Sequence, residues 1–396
     1  MSKPIQLMWY VNPHDGPFPW SPDGAFKPDL MRSREIAVQL DGDGYFGTLV
    51  VGKNPLLETT SWIPLTQRLR FLIPIYPGVI PVGFFAHQAQ LFDSISGGRL
   101  LINQVNGTDQ VVRHYGVEVP SDERYALSIE YWNAFKRLYA GDTTPFRGKY
   151  IQYGPPPQSK NTIAVPGLNL QDPHTPIWGS GTSPAGIRQA GAVLDTYLCY
   201  LHRPDRLAKQ INAARAAAAE HGRTLKAGIL CNIIVRETEE EAWAHAQWVL
   251  EKTGAAQIAR MIEGRLKTGR YQPHTGSRAP APFESLASQD PRRQANIEAL
   301  RAGRLPEVRA LESYPNIWSG PNPWGAVDIL DEGWGGYFVG SAENVAARMR
   351  ELQETIGIDT FILAGWPSKE EAKRVAQILM PLIELDDARP RLRVAA

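Results

Sequence analysis

The chain has 396 residues, 43% of them hydrophobic, and its 42 Lys+Arg nearly balance 41 Asp+Glu. So even a balance, with basic residues scattered as in Arg292-Arg293 and Arg301-Ala302-Gly303-Arg304, gives no reason to expect nucleic acid or an anionic membrane as partner. Two cysteines, Cys199 and Cys231, each inside an apolar run, exclude a disulfide scaffold and favour a reducing compartment.

The opening residues Met1-Ser2-Lys3-Pro4 enter a short apolar run holding Trp9 and Tyr10, without the features of a signal peptide. No stretch approaches the roughly 18 apolar residues of a membrane span. The expected location is cytoplasmic.

The first strand is predicted at Ile5–Val11, followed by a helix over Leu30–Leu40 that stops at Gly42 and Gly44. Strands follow at Tyr45–Val51 and Leu69–Ile75, then a helix over Val82–Ser96 ended by Gly97-Gly98. The fourth strand, Leu100–Val105, precedes a helix over Ser121–Tyr139, where Ser121 or Asp122 can cap the first turn. Gly141–His174, rich in Pro and Gly, breaks the alternation, and its Arg147–Tyr153 stretch reads as a small outlying hairpin. Strands resume at Pro176–Trp178, with Gly179–Ser183 opening a helix, and at Thr196–Leu201. The helix Pro204–His221 stops at Gly222, and the strand Ala227–Val235 follows. Thr253–Gly340 is long for an insertion in a compact domain, and such segments are usually functional, often lids. The helix Ser341–Glu354, the strand Thr360–Ala364 and the helix Ser368–Ile383 close the chain. Eight continuous apolar strands alternating with helices predict an α/β fold, a single-domain (β/α)8 TIM barrel with insertions at its C-terminal face.

Several chemistries are set aside. There is no Walker A loop, and Gly179-Ser180-Gly181-Thr182-Ser183 lacks the spacing of a dinucleotide fingerprint. The eight histidines are dispersed, with no metal-ligand spacing, and no Gly-x-Ser-x-Gly elbow occurs. The polar residues that remain follow strands, where barrel enzymes place their sites. Asn12-Pro13-His14 follows the first strand and Asn106-Gly107-Thr108-Asp109 the fourth. Gly179–Ser183 follows the fifth, and its backbone N–H groups and hydroxyls suit a phosphate.

These residues carry a resemblance spread over nearly the whole chain. It lies in Leu7-Met8-Trp9-Tyr10 with His14, Pro64–Leu72, Phe85-Ala86-His87-Gln88-Ala89 and Asp93–Arg99. It continues in Glu123-Arg124-Tyr125, Ile234–Thr238 and Pro315-Asn316-Ile317-Trp318. The chain resembles the bacterial luciferase-like flavin-dependent monooxygenases, most closely the alkanesulfonate monooxygenase branch. The resemblance implies reduced FMN supplied by a separate NAD(P)H-dependent flavin reductase, O2 as co-substrate, and a homodimer or homotetramer. By motif match Asn106, Arg124, Tyr125, Thr182 and Ser183 should contact the flavin.

Departures from that branch are concentrated at the expected substrate site. Where the relatives carry an Arg and a His on one strand, this chain has Leu230 and Asn232. Their catalytic Tyr and neighbouring His become Trp366 and Ser368, their pocket Trp becomes Tyr200, and their loop arginine falls near Asp331. The Cys after their second strand falls among Leu56–Glu58. A sulfonate in a water-poor pocket needs cationic or multiply donating partners. Leu230, Asn232, Tyr200 and Trp366 describe instead an aromatic-walled, mainly neutral pocket with one orienting amide.

The expectation is therefore a monooxygenase acting on a neutral or cationic substrate. His14, Asn232 and Trp366 are its candidate catalytic residues, and Tyr200, Leu230, Asp331 and Ser368 its candidate substrate contacts. A desulfonating enzyme with a rearranged pocket, a deazaflavin-dependent oxidoreductase and a retired flavin-binding protein are the alternatives.

Overall fold

The computed structural model describes residues 4–120, 123–142, 144–155, 170–267, 270–271, 278–324, 327–329 and 335–386. Eight parallel strands form the barrel. They are β1 (Gln6–Val11), β2 (Gly47–Val50), β3 (Arg70–Ile75), β4 (Leu100–Gln104), β5 (Ile177–Gly179), β6 (Thr196–Tyr200), β7 (Lys226–Arg236) and β8 (Ile358–Ala364). They follow one another in chain order in the sheet, and β8 pairs with β1 from Gln6↔Thr360 to Trp9↔Leu363, so the fold is the expected (β/α)8 barrel.

The chain divides into two compact units. One comprises Met1–Tyr45, Cys199–Ile211 and Ala227–Asp386. In it β8 lies between β1 and β7, with Leu230 opposite Ile362 and Asn232 opposite Ala364. The strand β7 is 11 residues long, and Asn232 to Arg236 also pair with a further parallel strand, Tyr337–Ser341. The antiparallel pieces Glu312–Tyr314 and Ile317–Trp318 extend that edge. Much of the long insertion packs on a core that it shares with β7 and with helix Glu239–Thr253. Ile258, Ile262 and Leu266 from helix Ala255–Lys267 meet Ile297 and Leu300 from helix Pro291–Arg301, together with Trp243 and Trp318. Thr253 and Gly340, taken as the insertion's bounds, prove to be the last residue of helix Glu239–Thr253 and a member of strand Tyr337–Ser341.

The other unit comprises Phe46–Leu198 and Asn212–Lys226. Its strands β2, β3, β4 and β5 pair in that order, with the register Leu72↔Leu101 and Asn103↔Trp178. The helix Val82–Ser96 ends at Gly97, whose φ of 69° places it in the left-handed region that favours glycine. The hairpin is present as Phe146–Arg147 paired with Gln152–Tyr153.

Local readings need four amendments. The first helix continues through Gly42 to Asp43, and Gly44 at φ 90° ends it, because one solvent-facing glycine weakens a helix without breaking it. The last helix stops at Ile378, and a short 3-10 turn, Met380–Leu382, follows because Pro381 cannot continue it. Helix Glu239–Thr253 was not anticipated, although Thr238 and Glu241 form a reciprocal capping box at its start. Ser121 and Asp122, expected as caps, lie outside the described residues, and helix Arg124–Tyr139 starts just after them.

Candidate active site

In the first unit an aromatic cluster gathers at strand C-termini. Tyr10 is the last residue but one of β1, Tyr200 ends β6, Trp366 follows β8, and Trp324 comes from the insertion. Ring centroids lie 5.5 Å apart for Tyr10 and Trp324, 6.3 Å for Tyr10 and Trp366, and 5.5 Å for Tyr200 and Trp324. The first two pairs are edge-to-face, the arrangement ring quadrupoles prefer. The Tyr10 hydroxyl accepts a hydrogen bond from Asn12 Nδ2 at 3.0 Å, and burial raises its pKa. Tyr200 keeps 36% of its surface exposed. It nonetheless loses enough hydration that its phenol is pushed up to about 12, with Tyr10 adding to the shift and Arg265 opposing it. Both phenols are therefore neutral at physiological pH.

Asn232 is wholly buried on β7 and meets this cluster through Trp366, whose indole N–H donates to Asn232 Oδ1 at 3.1 Å. Among the described residues Asn232 Nδ2 has no hydrogen-bond partner. Leu230, two residues earlier on the same strand face, is half-buried between buried neighbours. Ser368 is buried too, and both its backbone and its side chain are engaged. Its hydroxyl accepts the Trp9 indole N–H at 2.9 Å, and its N–H donates to Asp15 Oδ1 at 2.7 Å. His14 lies on an exposed loop, where its backbone N–H donates to Asn12 Oδ1. Asp331 lies outside the described residues.

In the second unit, the residues expected at the flavin gather around the loop after β4. Asn106 Nδ2 donates to Gln189 Oε1 at 3.0 Å, and Asn106 Oδ1 accepts from Gln104 Nε2 at 2.8 Å. Gln189 in turn donates to the Ser128 hydroxyl at 2.5 Å. This chain of amides ties the loop to helix Pro184–Val193 and to helix Arg124–Tyr139. Arg124, buried, pairs with Asp109 and donates to the Gly107 carbonyl at 3.4 Å. Ser183 caps helix Pro184–Val193 by accepting from the Gly186 N–H at 3.1 Å. Gly181 and Gly186 touch through their backbones, for a Cβ on Gly186 would stand 2.8 Å from Gly181 Cα. Thr182 is exposed and Tyr125 half-buried.

The arginine on the strand that carries Asn232 is committed elsewhere, while the charge of Arg265 bears on Tyr200. Arg236 makes a buried bidentate pair with Glu371 at 2.9 and 3.1 Å. Behind Trp366, a cavity of about 10 Å³ is lined by Trp20, His245, Tyr337 and Glu371, with room for about one water. His245 there is neutral, since burial and then Arg236 and Arg374 push its pKa down to about 4. A larger cleft of about 230 Å³ mixes arginines with carboxylates, among them Arg203, Arg293, Asp290 and Asp328, and gives no single-signed field. Among the described residues no group of three His, Cys, Asp or Glu is placed to hold a metal, and no helix is long and apolar enough to cross a membrane.

Sequence reasoning passed over Tyr10, Trp324 and Gln189 as site residues, and read Asp109 only as part of the polar stretch after the fourth strand. Tyr10 and Asp109 sit at or just after strand ends, a signal that was available. Trp324 lies in an insertion without periodicity, and nothing local marks it.

A barrel that presents polar and aromatic side chains at its strand C-termini defines a TIM-barrel enzyme. A model of the luciferase-like monooxygenase family matches residues 16–360, and the chain belongs to that family of oxidoreductases. Long-chain alkane monooxygenase is 17% identical over 96% of this chain and 91% of that one, with a TM-score of 0.69. Riboflavin lyase, solved with modified FMN and riboflavin, is 16% identical over 96% and 91%, with a TM-score of 0.68. The coenzyme F420-dependent tetrahydromethanopterin reductase of Methanopyrus kandleri is 14% identical over 96% and 100%, with a TM-score of 0.62. Likeness at such identities establishes the shared fold.

Proposed function

We propose that the protein is the oxygenase of a two-component system, taking reduced FMN from a separate NAD(P)H-dependent reductase and oxygenating a neutral organic molecule. Reduced flavin, when bound, supplies the electrons that activate O2. The residues on hand fit its phosphate. While Ser183 Oγ accepts from Gly186, the hydroxyl hydrogen remains able to donate, and the glycine-lined turn opens a helix whose N-terminus favours an anion. Arg124, held by Asp109 and Gly107, adds a positioned guanidinium, and Asn106 is set in place by Gln104 and Gln189. Thr182 and Tyr125 complete the proposed contacts.

The observation that carries the substrate class is the uncharged character of the aromatic cluster. Tyr10 and Trp366 are buried, Trp324 is half-buried and Tyr200 stands at the edge, all uncharged, and Asn232 offers an amide, while Arg236 is paired with Glu371. His14, exposed beside Asn12, is proposed to relay protons at the mouth. Losing two charge-assisted contacts of about 1.5–3 kcal/mol each should weaken sulfonate binding by several powers of ten. The decisive experiment adds a flavin reductase and measures sulfite release from alkanesulfonates of graded chain length. Turnover at ordinary enzymatic rates would overturn the neutral-substrate reading. The F420-dependent neighbour favours one second reading, hydride transfer from a deazaflavin. Anaerobic titration with each reduced cofactor separates the two.

Self-association is proposed on an exposed apolar stripe of helix Val82–Ser96. Phe84, Leu91 and Ile95, seven and four residues apart, share one face and are 61%, 53% and 52% exposed.

A further inference from the structure

The amide of Asn232 is oriented by chemistry. An indole N–H can only donate, so the oxygen of the amide must face Trp366, and the NH2 group must point the other way. That NH2 group belongs to a side chain with 0% of its surface exposed, and among the described residues it has no acceptor. A buried donor left unmatched is costly, and sites that keep one gain discrimination when a ligand supplies the acceptor. Its surroundings narrow the acceptor's nature. Trp366, bonded to the amide, stands edge-on to Tyr10, and Trp324 packs against both Tyr10 and Tyr200, all neutral rings. Leu230, two residues earlier on the same strand face, is half-buried. The charge that Tyr200 does sense, Arg265, is positive and disfavours a cation there.

We propose that Asn232, held in one orientation by Trp366, donates from Nδ2 to a neutral carbonyl oxygen of the bound molecule, making carbonyl compounds the preferred substrate class. The proposal deepens the monooxygenase reading and rests on it for the word substrate. The shared chemistry is a carbonyl acceptor between aromatic walls, and its two sources are an organic substrate and the flavin ring itself. Asn232 is the group that touches the acceptor, and Trp366 is a positioning residue.

The test compares acetophenone with ethylbenzene, a pair of like shape that differs in the acceptor, by tryptophan fluorescence titration with and without reduced FMN under anaerobic conditions. Acetophenone should bind the native protein about tenfold more tightly than ethylbenzene, the worth of one hydrogen bond. Asn232→Leu should abolish that ratio while ethylbenzene is held as before. Trp366→Phe keeps a ring but releases the amide to rotate, and the ratio should shrink several-fold even where the smaller ring weakens both probes. General damage to the fold would weaken both probes together. Equal binding of the two probes to the native protein, no binding of either, or a ratio that survives Asn232→Leu overturns the proposal for a substrate. If Asn232→Leu instead weakens reduced FMN tenfold and leaves the probes alone, the acceptor is the flavin's. If FMN binds to neither native protein nor variant while the probe ratio behaves as expected, the flavin reading fails and the carbonyl site stands.

Discussion

Ser183 can be made to separate a structural from a ligand-binding role, because its oxygen does one job in the protein and would do a second for the phosphate. The hydroxyl accepts the Gly186 N–H at 3.1 Å with Ser183 at φ −70° and ψ 158°, a well-formed N-cap on the ten-residue helix Pro184–Val193. Ser183→Ala removes the cap at a cost of about 1 kcal/mol, and removes a charge-assisted bond to phosphate of about 1.5–3 kcal/mol. At about 1.4 kcal/mol per decade, the second loss is a roughly 10- to 150-fold drop in FMN affinity. Ser183→Asp caps as well as serine does and suits the helix dipole, so stability should stay near native, but its carboxylate stands where the phosphate must come. Two negative charges about 4 Å apart at an effective dielectric near 20 repel by about 4 kcal/mol, so binding should fall further than in the alanine variant. Urea midpoints without flavin give the first quantity, and anaerobic titration with reduced FMN gives the second. The expected order is native, aspartate, then alanine for stability, and native, alanine, then aspartate for affinity. Ser183→Asp binding reduced FMN as tightly as the native protein would refute the phosphate role.

Other consequences are more local. Glu239 accepts from Trp243 Nε1, Asn316 Nδ2, Ser341 N and Asn344 Nδ2 at 2.8–2.9 Å, so Glu239→Ala should cost about 2–3 kcal/mol in urea unfolding. Desolvation acts to raise the pKa of that carboxyl, but its donors outweigh it and the net shift is downward. Its contribution is therefore present above the unfolded carboxyl pKa and lost as pH falls through the folded one, an acid-side weakening that Glu239→Gln should lack. Glu371→Leu strands the buried Arg236 and should cost about 3–5 kcal/mol, most of it recovered in the double variant Arg236→Met/Glu371→Leu. A variant pair whose losses simply add would show that the two charges are not coupled. The insertion is proposed to cover the site as a lid, with Gly335 at φ 103° offering hinge freedom near strand Tyr337–Ser341. Limited proteolysis should cut within residues 268–334 first, protected by reduced FMN, and cleavage confined to the termini would count against it.

The barrel was legible because strands buried on both faces are largely apolar, and a run such as Phe71–Ile75 within Leu69–Ile75 has that character. Tyr337–Ser341 escaped because two of its neighbours are Gly335 and Gly336 and its partner is the far half of a strand already assigned to the barrel. Helix Glu239–Thr253 carried its capping box openly in Thr238 and Glu241, and no helix is among the sequence expectations there. At the site, Asn232 stood out as an amide in an apolar strand. Its orientation did not, since that is set by Trp366, 134 positions away. Tyr10 and Trp324 meet across more than three hundred positions, and no local pattern marks such a pair.

The length of β7 decides how freely the insertion can vary. Its first half serves the barrel through Ile358–Ala364, and from Asn232 onward it also holds Tyr337–Ser341, with the Asn232 N–H donating to the Gly336 carbonyl at 2.9 Å. The chain leaves β7 at Arg236 and comes back onto the same strand, so everything between is a loop with both feet on one post. Lengthening such a loop costs only about 0.6 kcal/mol per doubling. The excursion is therefore open to rewriting, residue by residue or by whole helices, while the foot that lands at Asn232 keeps the amide where it is.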